Sequence, residues 1–303
     1  MGAAAKPVEY AVYRSRRARL VGLAYLAPAL AFVLVFTVYP LGRMMWMSLH
    51  SWSLLTPPVF VGFDNYERVF GDRQFWVSFL FTLKYTALIT PVLIVGGYLL
   101  ALLTAHNSPL RKVTRTVVFV PVVIGLGVSS LLWYWLFSAD FGLVNRALLD
   151  LGLVSGPVLW LGVDADVSNF AISASVVWKV IGFGMILFVG AIQAVPTEIN
   201  EATLVDGAGY WQRVTRVILP LTLRTVLLVT LLSVIGSLLA FDQFYIMTAG
   251  QPQNETATSV FYVYLNSFPY LKLGYGAALS MVLAVTILAF TVVQLLLTRR
   301  SEV

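Results

Sequence analysis

Four ionisable side chains, Arg43, Lys84, Lys179 and Asp242, fall inside or at the ends of long apolar runs. A charge at the centre of a bilayer costs about 2.5–3.5 kcal/mol on insertion scales, so such residues mark solute or ion paths unless they reach water or pair. Arg43 and Lys84 lie near run ends, where a long stem can carry the charge to water. Lys179 is deeper and precedes Gly182 and Gly184, which open or bend a helix. Asp242 is the acid deepest within a run, and both a pairing with Lys179 and a role in binding solute hydroxyls are open to it. All four are therefore candidates for a substrate path, and three cations to one acid would suit an anionic solute. Nearby Trp133, Tyr134 and Trp135 are expected in an interfacial aromatic belt rather than a sugar platform.

Bond-making chemistry has no such candidates. The chain has no cysteine, and its two histidines, His50 and His106, are far apart in sequence. No serine-histidine-acid set, metal-ligand cluster or G-x-x-x-x-G-K-[ST] loop is visible. The residues suit binding and passage, so no catalytic residue, cofactor or metal is assigned to this chain.

The elements that must position these residues follow from composition. Of 303 residues 59% are hydrophobic and 11% charged, with a mean hydropathy of +0.85. Soluble domains carry about a quarter charged residues, so this chain reads as one all-α bundle in a lipid bilayer. A hydrocarbon core needs about 20 apolar residues per helix. Six runs meet that length, at 20–48, 78–104, 116–138, 169–195, 223–247 and 274–297. An A-x-A echo at Ala27 and Ala29 resembles a signal-peptide cleavage site, but the apolar run continues past it, as an uncleaved first span would.

Charge placement predicts orientation, because lysine and arginine favour the cytoplasmic side. Lys6, Arg14, Arg16, Arg17 and Arg19 precede the first run, and Arg299 and Arg300 follow the last. Arg111, Lys112 and Arg115 sit in the second connection, and Arg213, Arg216 and Arg224 in or beside the fourth. The first, third and fifth connections hold most of the acids. Both termini are thus expected inside: a cytoplasmic tail at 1–19, a transmembrane domain at 20–298 and a second tail at 299–303. The formal charge of +6 is an orientation signal, not a nucleic-acid footprint.

One connection is unlike the rest. Residues 196–222 begin with Pro196-Thr197-Glu198, a helix start with Thr197 as cap and Glu198 near the positive helix end. Gly207 and Gly209 permit a turn, and a second helix from Trp211 to Leu219 is expected to stop at Pro220. By pattern alone this is either an amphipathic interfacial loop or a docking element for a cytoplasmic partner.

Glu201-Ala202-Thr203, Gly207 and Leu219-Pro220 resemble the E-A-A, G, I-x-L-P loop of permease subunits of binding-protein-dependent ABC importers. Thr203 stands in place of the second alanine and Val217 in place of isoleucine. Asp206 and Ala208 flank the glycine as in the extended form, followed by Gly209. The segment from Phe60 to Tyr66 is similar to the F-x-G-x-x-N-Y stretch of carbohydrate-type permeases, and Thr248 to Pro252 to their T-x-G-x-P turn. The resemblance implies a type I importer permease with six transmembrane helices and a cytoplasmic coupling helix. Glu201 would meet a basic residue of an ATPase subunit, with Ala202 and Gly207 permitting close packing. It also implies a second permease subunit, two ATPase subunits that bind ATP and Mg, and an extracytoplasmic binding protein, in a bacterial cytoplasmic membrane. The likeness points most to the A-type permease of glycerol-3-phosphate and glycerophosphodiester uptake, with a trehalose- or maltose-type permease next. A stand-alone secondary transporter or channel is the contrasting reading.

Overall fold

The computed structural model describes residues 16–106 and 108–300, and the side chains of 16–20, 22 and 297–300 are not described. Lys6 and Arg14 of the expected N-terminal tail lie outside the described residues. So do residues 301–303 and the side chains of Arg16, Arg17, Arg19, Arg299 and Arg300.

The described residues open with a long rod: α1 (Arg16–Val33), a π-helical turn (Leu34–Val38) and α2 (Tyr39–Ser48). A π turn widens the helix where Pro40 supplies no N–H and its ring crowds the preceding turn. A short antiparallel hairpin, β1 (His50–Ser51) with β2 (Val59–Phe60), leads to α3 (Asp64–Gly71) and to α4 (Arg73–Thr104). The F-x-G-x-x-N-Y stretch has a packing reason. Gly62 turns at φ +59°, and buried Asn65 donates to the carbonyls of Ser48 and His50 at 2.8 and 3.0 Å. Tyr66 meets the Ser48 hydroxyl at 2.7 Å, so the chain is stitched back onto the end of α2.

Helix α4 is the spine. Phe81, Tyr85, Ile89, Leu93, Gly97 and Ala101 repeat every four residues and are all buried, forming one ridge. That ridge packs on α8 (Ala165–Gln193), and Gly97 approaches the α8 backbone at Gly184 and Met185, where small residues let helices close up. Between them in sequence come α5 (Pro109–Val123), α6 (Leu126–Leu136) and α7 (Leu143–Asp150). After α8 follow α9 (Thr197–Val205), α10 (Tyr210–Arg213), a second π turn (Val214–Ile218), α11 (Leu219–Leu221) and α12 (Leu223–Leu238). The chain ends with α13 (Asp242–Met247), α14 (Ser259–Ser267) and α15 (Leu273–Arg300). Helix α5 lies on α8, α12 on α4, and α15 on α14 and α2.

Among the described residues, four helical stretches are long and apolar enough to cross a membrane: Leu23–Ser48, Arg73–Thr104, Ala165–Gln193 and Leu273–Leu296. Counting each bent pair as one span raises the number to six. The expected run at 116–138 is not one helix; α5 and α6 meet at 99°. Pro121 and Gly125 lie at that corner, with Ile124 and Gly125 extended between them. The expected run at 223–247 also breaks, at Leu239–Phe241, so Asp242 begins a new helix instead of lying within a long one. Trp133 differs from the belt expectation: it packs inward on Phe137 and Trp178, while Tyr134 and Trp135 are exposed.

Candidate functional site

Two places carry the residues singled out by sequence. The first is the connection from Pro196 to Thr222. Helix α9 starts with Thr197 as its first helical residue, not as its cap, and places Glu198 in the first turn. None of its residues is buried; Ile199, Leu204 and Val205 are exposed, Val205 by 87%. Glu201, Ala202 and Asp206 are exposed with them. A short helix with bare aliphatic groups beside a carboxylate has the makings of a contact surface.

The end of α9 explains its glycine. The N–H of Gly207 donates to Leu204 at 3.1 Å and that of Ala208 to Thr203 at 3.0 Å, the paired bonds of a Schellman cap. Gly207 has φ +71°, and a side chain there would meet no atom within 4 Å of the chain. Conformation, not crowding within the chain, selects glycine. Gly209 then donates its N–H to the Gln212 side chain at 3.1 Å, which starts α10.

The following helix is not stopped by Pro220 as sequence predicts. It runs from Tyr210 through the π turn Val214–Ile218 to Leu221 and bends by 71° into α12. The π turn stands at the same spacing before Pro220 as the first stands before Pro40, and again absorbs the missing N–H. Leu219 packs into the core with Val214 and Ile218, while Pro220 is exposed. At the bend, Thr222 is buried and bonded to the Ile218 carbonyl and the Tyr98 hydroxyl, both at 2.9 Å. Between α9 and the ends of α4 and α8 lies a groove of about 350 Å³, lined by Glu201, Asn200, Arg213, Tyr210, His106 and Gln193 among others. The buried Arg213 Nε has no hydrogen-bond partner among the described residues, and the guanidinium lies over the Tyr210 ring at 5.7 Å.

The second place is a cleft of about 180 Å³ between α4, α8 and α12. The break before α13 turns Asp242 and Gln243 toward it, beside Tyr85, Ser233, Ser237 and Phe241. Tyr85 is 1% exposed and lines the cleft together with Gln243. A second cavity of about 120 Å³ shares Leu93, Val180, Leu232 and Ser233 with the first, so the space continues along the helices. Phe241 stacks on Tyr245 at 5.3 Å between ring centres, with Tyr264 edge-on to Tyr245.

The other three charges are elsewhere. Lys179 is buried but does not line the cleft; its ammonium donates to the carbonyls of Val122 and Pro121 at 3.2 and 3.5 Å. It makes no ion pair with Asp242 among the described residues. Lys84 pairs with Asp166 at 2.6 Å in the open, with side chains 58% and 77% exposed. Arg43 is exposed on α2 and lies over the Trp46 ring at 4.6 Å. Sequence reasoning passed over Tyr85, Gln243, Ser233 and Ser237. The two serines carried a signal, since polar groups at i and i+4 in an apolar run share one helix face.

Residues 93–303 match the model of the family described as binding-protein-dependent transport system inner membrane component. The chain belongs to this family. As a permease subunit it is 31% identical, over 94% of its length and 92% of the relative's, to the sulfoquinovosyl glycerol transport system permease protein of Agrobacterium fabrum. It is 33% identical to the trehalose/maltose transport system permease protein of Thermococcus litoralis, over 92% and 94% of the two chains. With the lactose transport system permease protein of Rhizobium radiobacter it shares 32% over 89% and 91%. The fold also matches a chain from the crystal structure of a bacterial alginate ABC transporter in complex with an alginate pentasaccharide-bound periplasmic protein. That match has a TM-score of 0.83 at 23% identity, covering 94% of this chain and 96% of the other. The permease is therefore a transport component of a membrane and not an enzyme.

Proposed function

We propose that the chain is one of two membrane subunits of an ATP-driven importer for a carbohydrate solute. The observation that carries the coupling part is α9, a short exposed helix with bare Ile199, Leu204 and Val205 around Glu201. In this reading α9 is the coupling helix and seats in a separate ATPase chain, with Glu201 meeting a basic residue. Asp206, Gly207, Ala208 and Gly209 shape its exit, and Leu219 and Pro220 join it to the bundle. The chain has no phosphate-cradling loop of its own, so ATP and Mg belong to two ATPase subunits. A second permease subunit and an extracytoplasmic binding protein complete the assembly. The six runs are six spans, two of them bent, forming the domain 20–298 with both termini and the loop 196–222 in the cytoplasm.

Solute passes the cleft at Asp242, whose carboxylate accepts hydrogen bonds from hydroxyls while Gln243 and Tyr85 orient its wall. The glycerol-phosphate reading drew on the family resemblance, with three cations in the spans in its favour. With Lys84 on Asp166, Lys179 on backbone carbonyls and Arg43 on an exposed helix, Asp242 is the one carboxylate, lysine or arginine among the residues lining this cleft. That lining suits a neutral sugar better than a phosphate; trehalose, maltose and lactose, named for two relatives, are neutral, whereas the sulfoquinovosyl glycerol named for a third carries a sulfonate.

The test is uptake by vesicles holding the purified four-chain importer and its binding protein, with labelled disaccharide or glycerol-3-phosphate. Disaccharide uptake that needs internal ATP supports the proposal. Uptake of glycerol-3-phosphate alone overturns the solute class, and uptake without ATP overturns the importer reading in favour of a stand-alone transporter or channel.

A further inference from the structure

Lys179 is a buried cation with no ion-pair partner among the described residues, and the transport reading gives it no solute to hold. Its partners are instead the last carbonyls of a broken helix. Helix α5 ends at Val123, and the 99° corner at Ile124–Gly125 carries the chain into α6. The Pro121 carbonyl receives the Ile124 N–H at 3.2 Å. Val122 would receive the Leu126 N–H if the helix continued, but Leu126 already lies beyond the corner. A helix end presents its unbonded carbonyls as partial negative charge, and within apolar surroundings such a group needs a donor. Lys179 supplies it, at 3.2 Å to Val122.

The contact is anchored one turn further along α8. A Cβ on Gly182 would overlap the Val118 carbonyl oxygen and touch the Phe119 Cα, so α5 lies directly against the α8 backbone there. Val176 and Val180, on either side of Lys179, line the cleft together with Leu126, the first residue of α6. Gly127 beside it faces Ile246 of α13. The corner that Lys179 caps therefore hands the chain straight into the cleft wall.

We propose that Lys179 is a positioning residue for transport: it caps the broken end of α5 and so fixes where α6 enters the wall of the solute cleft, without touching solute. This rests on the importer reading for its transport consequence, but the geometric part stands independently.

Two measurements on the assembled importer test it. The chain has no cysteine, so spin labels on Val117→Cys and Leu131→Cys, both exposed positions on α5 and α6, report the corner directly. In K179M the label–label distance distribution should broaden, and uptake should fall by about tenfold or more, the scale of one lost charge-assisted hydrogen bond. The solute concentration at half-maximal uptake should stay near the native value, and K179R should restore both readouts. A native distribution in K179M overturns the capping role, whatever happens to uptake. A raised half-saturation concentration with an unchanged distribution makes Lys179 a solute contact instead. If K179M does not assemble, K179Q, which keeps an N–H donor without the charge, should assemble with a near-native distribution, and a broadened distribution there overturns the capping role. Broadened labels in an importer shown to need no ATP would uphold the cap and sink only the function it serves.

Discussion

Asp72 and Tyr275 are joined by a 2.6 Å hydrogen bond that ties the start of α4 to the start of α15. Tyr262 of α14 donates to the same carboxylate oxygen at 2.5 Å, and the other oxygen caps α4 by accepting the Gln74 N–H at 2.9 Å. One carboxylate thus holds three helices where Val69, Phe75, Tyr262 and Tyr275 share a core. Burial alone would raise its pKa, but the bonds from Tyr262, Tyr275 and the backbone of Gln74 and Phe75 outweigh burial and hold it below the ordinary value.

The sign of the pH effect follows. A carboxyl that titrates lower in the folded state than in the unfolded one contributes stability above the unfolded value, near pH 4, and loses it as pH falls through the folded value. Asp72→Asn should cost about 1.5–3 kcal/mol at neutral pH, the range for hydrogen bonds to a charged group. Thermal unfolding in detergent should show that deficit at pH 7 and its shrinkage as acid protonates the native protein. A deficit that does not change with pH would contradict the ionised role.

Gly207 sits at φ +71° in open space, so its replacement is judged by backbone conformation alone. A β-branched residue in the left-handed region costs about 1–2 kcal/mol or more, whereas asparagine visits it readily. Gly207→Val should reduce recovery of the ATPase with the membrane subunits, and Gly207→Asn should leave it near native. Equal loss in both would show that bulk at the partner surface, not the helix cap, sets the requirement.

Lys84 and Asp166 pair at 2.6 Å with both side chains exposed, and exposed pairs contribute about 0–1 kcal/mol. Lys84→Ala should therefore leave uptake and melting temperature close to native. A strong transport defect would return Lys84 to the solute path.

Much of this was readable from the chain. Runs at 78–104, 169–195 and 274–297 correspond to α4, α8 and α15 within a few residues, because each is apolar throughout and unbroken by a corner. The runs at 116–138 and 223–247 looked the same by hydropathy, yet each holds a break. Hydropathy measures transfer from water and is blind to whether backbone bonds continue, and neither Pro121 nor Gly125 fixes a 99° turn until α8 packs against it. The partners of Lys179 were illegible for that reason: its acceptors exist only because α5 ends. The Asp72 cluster joins residues about 200 positions apart, which no local pattern reports. The α9 loop was legible because its polarity and glycine follow from its own short-range geometry.

Asp242 lines the cleft at the first turn of α13. Asp242→Asn keeps size and one acceptor but loses the charge. Uptake should fall by roughly tenfold or more, on the scale of hydrogen bonds to a charged group, while ATP hydrolysis persists in the assembled complex. Native uptake by this variant would remove Asp242 from the solute path.

The central claim, that α9 is the contact through which a separate motor drives this permease, has a direct measurement. Because the chain lacks cysteine, a single Ala202→Cys on the exposed helix can be cross-linked in membranes from cells that express the whole importer. A cross-link to the ATPase chain that changes in yield when ATP is added is expected, with no labelling of that thiol by an impermeant reagent applied from outside. Labelling from outside, or cross-links that never include the ATPase, would contradict it.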